Sequence, residues 1–266
     1  STSRTAADRA AAARRVQRER RLGRQRRVLQ LRIAAATVLL VAVVAGGVSL
    51  YRSSVFAIER VDVVGNSRLG AADIRAIAAV PDGSTLLRYP AGRIKERLEA
   101  NPWISEASVA RDFPNVLRIR IDERKPYALL DLGGAKLWML DSSGFVIGEQ
   151  TADVTSTVVV VRDVPGADPR PGTRTMSEPV LNAIAVWAGL SQSLRERTRA
   201  ISAPSIDKTT LVTTDDIEIL VGVSDDIGKK DLLARQILRD QKGKVVYISV
   251  RSVERPTWRG IDTPQP

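Results

Sequence analysis

The sequence predicts an α+β protein that crosses a membrane once. Two observations carry this prediction. Residues 33–51 contain no charged side chain, and the segments after them alternate between strand-like and helix-like spacing of apolar residues. A period of two is typical of half-buried strands, and a spacing of three to four residues is typical of amphipathic helices. Both kinds of element therefore follow a single apolar anchor.

The positive charge of the chain is concentrated before that anchor. Residues 1–32 hold eleven arginines against Asp8 and Glu19, which is a net charge of +9 out of +11 for the whole chain. This distribution indicates a basic arm rather than a basic folded body, and it favours lipid headgroups over nucleic acid as the arm's partner. Because positive residues stay on the cytoplasmic side, we expect a cytoplasmic N-terminus and an extracytoplasmic C-terminus.

The apolar segment, residues 33–51, is predicted to be a transmembrane helix. At a helical rise it spans about 28 Å, close to the thickness of a bilayer core. A cleaved signal peptide is the alternative, with Val43 and Ala45 as a weak cleavage site. The long arm and the length of the apolar run favour a retained anchor. Residues 52–54 then form a link of roughly 10 Å, which places the next domain close to the membrane surface.

Residues 55–124 predict a small domain with the order β-α-α-β-β. A strand ends at Gly65 and Asn66, and two short helices follow at 69–80 and 90–101. A hairpin within 101–126 completes the domain. The apolar positions expected to be buried are Phe56, Ile58, Val61, Val63, Ile74, Ile77, Ala78, Ile94, Leu98, Leu117, Ile119 and Ile121.

Residues 125–252 predict a second, mixed α/β domain, and residues 253–266 a flexible proline-rich tail. Two hairpins, a helix at 177–198 capped by Ser177, and a helix ended by Gly243 precede a last strand at 244–251. In that strand Val246, Ile248 and Val250 are expected to face the core. The strand either forms a sheet edge open to another chain or is covered by the tail, and the sequence leaves both possibilities open.

The sequence contains no group of residues whose types and spacing predict a catalytic site. It contains no histidine and no cysteine, and it has no glycine-rich nucleotide-binding loop. Ser205 and Lys208 match the S-x-x-K spacing of penicillin-recognising enzymes, but a strand after them would put the two side chains on opposite faces. The adjacent carboxylates at 215–216 and 225–226 are expected in turns or at helix N-caps. We therefore predict a protein that is not an enzyme and has no cofactor or metal.

Two sets of residues remain as candidates for binding. Arg118, Arg120 and Arg124 form a basic strip on the polar face of the hairpin, which is either a solvated face or a contact for anionic headgroups. Trp258 lies in the polar tail without an apolar pattern around it. Of the aromatic residues, it is the one that most suggests binding.

Four segments together carry a resemblance to a known family: IERVDVVGN (58–66), residues 86–128 with their Pro-Trp-Ile, Arg-x-x-Pro and Glu-Arg-x-Pro runs, LDSSG (140–144) and VVYISVR (245–251). The first domain resembles a POTRA domain. The chain from about residue 30 to 258 is similar to the bacterial FtsQ family, called DivIB in some bacteria.

The resemblance implies a non-enzymatic cell-division scaffold, concentrated at the septum. The resemblance also implies that the protein binds FtsB (DivIC) and FtsL. It implies a link to the septal peptidoglycan synthase pair FtsW and FtsI. In this family the second domain is called the β domain, and the resemblance implies that its C-terminal strand region pairs with a segment of FtsB. Carried to this sequence, the partner surface would comprise Tyr247, Ser249, Arg251, Ser252 and Trp258. Ser249 stands where the family often has aspartate.

Two other functions remain as alternatives. POTRA domains also occur in envelope assembly and secretion factors, but those chains continue into a β-barrel of many alternating strands. A cell-wall enzyme is the other alternative, and the missing histidine and cysteine argue against it. We expect no nucleic acid and no small-molecule substrate as partner.

Overall fold

A computed structural model describes residues 30–151 and 158–261. These residues divide into two compact units. One unit comprises residues 30–60, 81–89 and 111–117, and the other comprises 61–80, 90–110 and the chain from 118 onward. The predicted basic arm, apart from its last three residues, lies outside the described part of the chain, as does the end of the predicted tail.

Helix α1, Gln30–Arg52, contains the predicted anchor. It is 23 residues long, and its length and composition are sufficient to cross a membrane. Its apolar side chains are exposed along the whole helix, as a helix surrounded by lipid requires. Among the described residues it is the one helix with these properties.

The first domain has the predicted order β-α-α-β-β. Its elements are β1 (Arg60–Val64), α2 (Ala71–Ala78), α3 (Ala91–Glu99), β2 (Ile104–Asp112) and β3 (Val116–Glu123). The three strands form a sheet in the order β1-β3-β2. The predicted apolar positions that are completely buried are Ile74, Ala78, Ile94, Leu98, Leu117, Ile119 and Ile121. The spacing of apolar residues thus identified both helices and the inner face of the central strand.

Glu123, at the end of β3, is held by the loop before α2. Its carboxylate accepts hydrogen bonds from the backbone N–H groups of Ser67, Arg68 and Leu69 at 2.8–3.0 Å, and from the Ser67 hydroxyl at 2.8 Å. Burial raises the pKa of Glu123, but the backbone donors of Arg68, Leu69 and Ser67 and the Ser67 hydroxyl outweigh it and lower the pKa to about 2. The ionised carboxylate therefore fixes the loop to the sheet.

We expect Glu123→Gln to lower the free energy of unfolding by about 2 kcal/mol at neutral pH, after allowance for solvent screening. Because the folded pKa is near 2 and the ordinary value is 4.5, this stabilisation is complete above about pH 4.5 and is lost as the pH falls toward 2. Denaturant unfolding at several pH values would measure it. Glu106→Gln, at an exposed position of β2, is the control. Equal stability of the Glu123 variant and the wild type at neutral pH would contradict the assignment.

The second domain is built on a mixed nine-stranded sheet. Its strands are β4 (Ala128–Asp131), β5 (Lys136–Leu140), β6 (Val146–Thr151), β7 (Val159–Arg162), β8 (Thr198–Ser202), β9 (Thr210–Thr213), β10 (Glu218–Leu220), β11 (Val245–Ser249) and β12 (Thr257–Gly260). Their order is β12-β11-β10-β9-β8-β7-β4-β5-β6. The β4–β7, β7–β8 and β10–β11 pairs are parallel, and the other pairs are antiparallel. The mixed α/β character agrees with the predicted fold class.

Three α-helices in the described part of the chain accompany this sheet: α4 (Glu178–Gly189), α5 (Gln192–Arg197) and α6 (Ile227–Asp240). The prediction of a single helix at 177–198 was wrong, because the backbone becomes extended at Leu190 and Ser191. The Ser191 N–H and hydroxyl both donate to the Asp231 carboxylate of α6, at 3.0 and 2.8 Å. This tertiary contact satisfies the polar groups of Ser191 between α4 and α5. The pattern of neighbouring residues does not predict it.

Candidate functional site

The end of the large sheet is formed by the tail of the chain. Strand β12 pairs with β11, and β12 is the last strand in the sheet order, so its other side is an edge among the described residues. Of the two possibilities for the last predicted strand, coverage by the tail is therefore the one observed. The tail predicted as flexible from residue 253 contains a strand at its centre. Thr257 and Trp258 favour a strand between Pro256 and Gly260, which is a signal that the sequence reading missed.

One face of this strand pair carries Tyr247 and Ser249. Tyr247 is opposite Arg259, and Ser249 is opposite Thr257. The Arg259 guanidinium lies 5.2 Å from the centroid of the Tyr247 ring, which is within the range of a cation–π contact. Tyr247 and Ser249 are half-buried. Arg259, which the sequence reading did not select, belongs to the same face.

The opposite face carries Trp258. Its partner across the ladder is Ile248, which is completely buried, whereas Trp258 is 45 % exposed. Directly opposed residues point to the same side of a sheet, so Trp258 lies on the other face from Tyr247. The predicted partner residues therefore surround the edge from both faces and do not form one flat surface.

The register of β11 differs from the prediction at its start. Val246 was expected to face the core, but it is 39 % exposed, while Val245 is only 5 % exposed. The ladder with β12 shifts between Val245 and Tyr247. A bulge of this kind adds a residue to one strand and reverses the facing of its neighbours. Ile248 and Val250 are buried as predicted.

Arg251 and Ser252 follow β11 and are exposed. Gly222 leaves room for the aliphatic part of Arg251, because a Cβ at that glycine would come within 2.9 Å of the Arg251 Cγ. The predicted partner residues thus extend from β11 into the turn that leads to β12.

Only two of the three arginines predicted to form a basic strip on the hairpin lie together on its exposed face. Arg118 and Arg120 are exposed and border a shallow cavity of about 340 Å³, together with Arg75 and Asp62. The prediction that Arg124 belongs to this strip was wrong. Its guanidinium donates to the Asp141 carboxylate at 2.8 Å and is therefore engaged within the fold.

Arg124 is held at the turn of the β5–β6 hairpin, between residues 141 and 145. Its guanidinium carbon lies 3.7 Å from the centroid of the Phe145 ring. Burial raises the pKa of Asp141, but hydrogen bonds from Ser143, from the Phe145 N–H and from Arg124 outweigh it and lower the pKa of that carboxyl. The contact therefore joins an arginine that follows β3 and an ionised aspartate that follows β5.

The carboxylates and the S-x-x-K match have structural partners. Asp215 and Asp216 pair with Arg197 and Arg199, and Asp226 is at the N-cap of α6. Asp215 and Asp216 lie between β9 and β10, as predicted, whereas Asp226 takes the N-cap position without a side-chain cap hydrogen bond. The hydroxyl of Ser205 donates to Asp207 at 2.7 Å. Residues 206–208 form a short 3₁₀ helix rather than the beginning of a strand. Within the described ranges no group of histidine, cysteine or acidic residues is arranged to hold a metal.

Comparison with known proteins identifies the first domain. Residues 56–124 match a family model described as POTRA domain, FtsQ-type. The matched residues fall within the segment 55–124, for which the sequence predicted a separate domain.

Curated relatives named cell division protein FtsQ match different lengths of the chain. The relative from Syntrophotalea carbinolica is 39 % identical over 100 residues, which are 38 % of this chain and 35 % of that protein. The relative from Streptomyces venezuelae is 32 % identical over 175 residues, 64 % of this chain and 63 % of that protein. The relative from Anaeromyxobacter sp. is 25 % identical over 260 residues, 93 % of this chain and 87 % of that protein.

The chain thus spans about a third of the first of these relatives and somewhat under two thirds of the second. The domain match falls on the β-α-α-β-β elements, and the longest of these three relative matches extends through both domains. On these grounds, the chain is similar to FtsQ proteins, and its first domain matches the FtsQ-type POTRA domain.

Proposed function

We propose that this protein is a non-enzymatic scaffold of bacterial cell division that recruits its partners by strand addition to β12. The observation that carries the proposal is the edge of the large sheet, flanked by the exposed Trp258 and the Tyr247–Arg259 pair. An edge strand presents backbone N–H and C=O groups that an extended segment of another chain can pair with. The names of the relatives support a division role.

The proposed partners are an FtsB/DivIC-like protein and an FtsL-like protein, with an indirect link to FtsW and FtsI. An FtsB-like segment would pair with β12, and its side chains would contact Trp258 on one face and Arg259 and Tyr247 on the other. Arg251 and Ser252 extend the same surface. This assignment differs from the expectation that the partner pairs with β11, because β12 occupies that position.

The proposed mechanism is positional. α1 would anchor the protein in the cytoplasmic membrane, with the N-terminal arm inside and both domains outside. Because α1 is followed closely by the POTRA domain, the binding surfaces would be kept near the membrane, which raises the local concentration of membrane-bound partners. Arg118 and Arg120 are proposed to face anionic headgroups.

Depletion of the protein in growing cells tests this function, with a fluorescently tagged copy to follow its position. We expect the tagged copy at midcell and a block of septation after depletion. A diffuse membrane signal with normal division would contradict the proposal and favour the alternative, a POTRA-containing factor of envelope assembly or secretion. A tagged copy that lacks residues 255–266 is the matched variant, and we expect it to remain in the membrane without supporting division.

A further inference from the structure

A patch of exposed apolar and arginine side chains lies where α1 ends. We define the juxtamembrane patch as Tyr51, Val55, Arg88, Arg111 and Phe113, all of which belong to the same compact unit as α1. Tyr51 is 53 % exposed, Val55 63 % and Phe113 54 %. Large apolar side chains that are this exposed and lie together usually mark a contact with lipid or another molecule.

The patch is attached directly to the segment that leaves the helix. Phe56 and Phe113 pack edge to face, with ring centroids 5.3 Å apart and an angle of 84° between the rings. The backbone O of Phe56 accepts a hydrogen bond from the Leu86 N–H at 2.8 Å, and the Ile58 N–H donates to the Ser84 O at 3.0 Å. The turn with Phe113 and the segment before Arg88 are therefore fixed to the residues immediately after α1.

The arginines of the patch lie beside tyrosine rings. The guanidinium carbon of Arg88 is 5.8 Å from the Tyr51 centroid, and its Nη2 donates to the backbone O of Arg52 at 3.4 Å. The guanidinium carbon of Arg111 is 5.5 Å from the Tyr89 centroid. Tyrosine and arginine are the side chains favoured at the level of lipid headgroups, because each combines an apolar body with a polar end.

We propose that the juxtamembrane patch lies in the headgroup region of the bilayer that α1 crosses. Phe113 and Val55 enter the boundary between headgroups and acyl chains, and Arg88 and Arg111 contact lipid phosphates. The occupant is lipid because the patch continues the exposed apolar surface of α1, and Tyr51 belongs to both. Residues 51–60, 81–89 and 111–117 together hold four arginines against Glu59, Asp82 and Asp112, a net charge of +1. This inference rests on the proposed anchoring role of α1 and uses other arginines than the Arg118–Arg120 strip.

Site-directed spin labelling tests the proposal with the full chain in vesicles, since the protein has no cysteine of its own. Single variants Phe113→Cys and Val55→Cys would carry a nitroxide, in phosphatidylcholine vesicles with and without phosphatidylglycerol. The measurement is the ratio of collision rates with oxygen, which concentrates in lipid, and with a water-soluble nickel chelate. We expect this ratio at both positions to exceed that at Lys242→Cys, an exposed position of the other unit, by at least about threefold.

Two reference positions separate the possible failures. Leu40→Cys, in the middle of α1, reports whether the helix is in the hydrocarbon. A lipid-like ratio at position 40 with water-like ratios at both 113 and 55 would overturn the patch and leave the anchor intact. A water-like ratio at position 40 would overturn the anchor and the patch together. Val55→Cys keeps the Phe56–Phe113 contact, so the test does not depend on a variant that alters it.

Discussion

Alanine in place of Gly65 is expected to lower the free energy of unfolding of the POTRA domain by more than about 3 kcal/mol. Gly65 ends β1 with φ +88°, a conformation that other residues rarely adopt. A Cβ at this position would lie 2.1 Å from the backbone O of Ile121 in β3. Because that atom belongs to the central strand, it cannot rotate away, and the sheet itself has to shift.

Gly83 provides the matched control. It also has a positive φ, +71°, but no atom lies within 4 Å of the position that its Cβ would take. Gly83→Ala should therefore cost only about 1 kcal/mol, the conformational part of the effect. Denaturant unfolding of the full chain in detergent micelles, followed by circular dichroism, would compare the two. If Gly65→Ala and Gly83→Ala lowered the free energy of unfolding equally, the close approach of position 65 to Ile121 would have no importance for stability.

Trp258→Ala should weaken binding of an FtsB/DivIC-derived segment by tenfold to a hundredfold, about 1.4–2.8 kcal/mol. The indole is 45 % exposed beside the sheet edge, so it is available to a strand that adds to β12. The backbone pairing of β12 with β11 does not require the side chain, and we expect the fold to be unchanged. Fluorescence anisotropy with a labelled synthetic segment would measure the affinity.

Two further variants make this binding test specific. Leu232→Ala removes a side chain that is 53 % exposed on α6, and the affinity should stay as in the wild type. Tyr247→Ala removes the partner of Arg259 on the other face and should weaken binding less than Trp258→Ala, since Tyr247 is half-buried. Unchanged affinity in both the Trp258 and the Tyr247 variants would exclude this edge as the binding surface.

Contacts between distant parts of the chain decided the features that the sequence did not predict. The interruption between α4 and α5 depends on Asp231, forty residues after Ser191. The ion pair that removes Arg124 from the basic strip depends on Asp141. In both cases a polar side chain has a buried or half-buried partner from another element, which a pattern of neighbouring residues cannot reveal.

The edge of the large sheet shows the same limit. The alternation in β11 predicted a strand and the burial of Ile248, but the bulge before Tyr247 and the covering strand β12 arise from pairing with the tail. Trp258 was predicted as a binding residue because no apolar pattern surrounds it. That observation identified the region of the chain but not the face of the sheet on which Trp258 lies.

By itself the sequence determined the apolar helix, the order of elements in the POTRA domain and the similarity to FtsQ proteins. These features depend on the local periodicity of apolar residues and on the length of an uncharged run. Both patterns involve only residues that are close together in the sequence. The tertiary structure alone decided the order of the nine strands and which strand is the edge. Strand pairing brings together segments far apart in the chain, and the free energy of each pairing depends on the whole sheet.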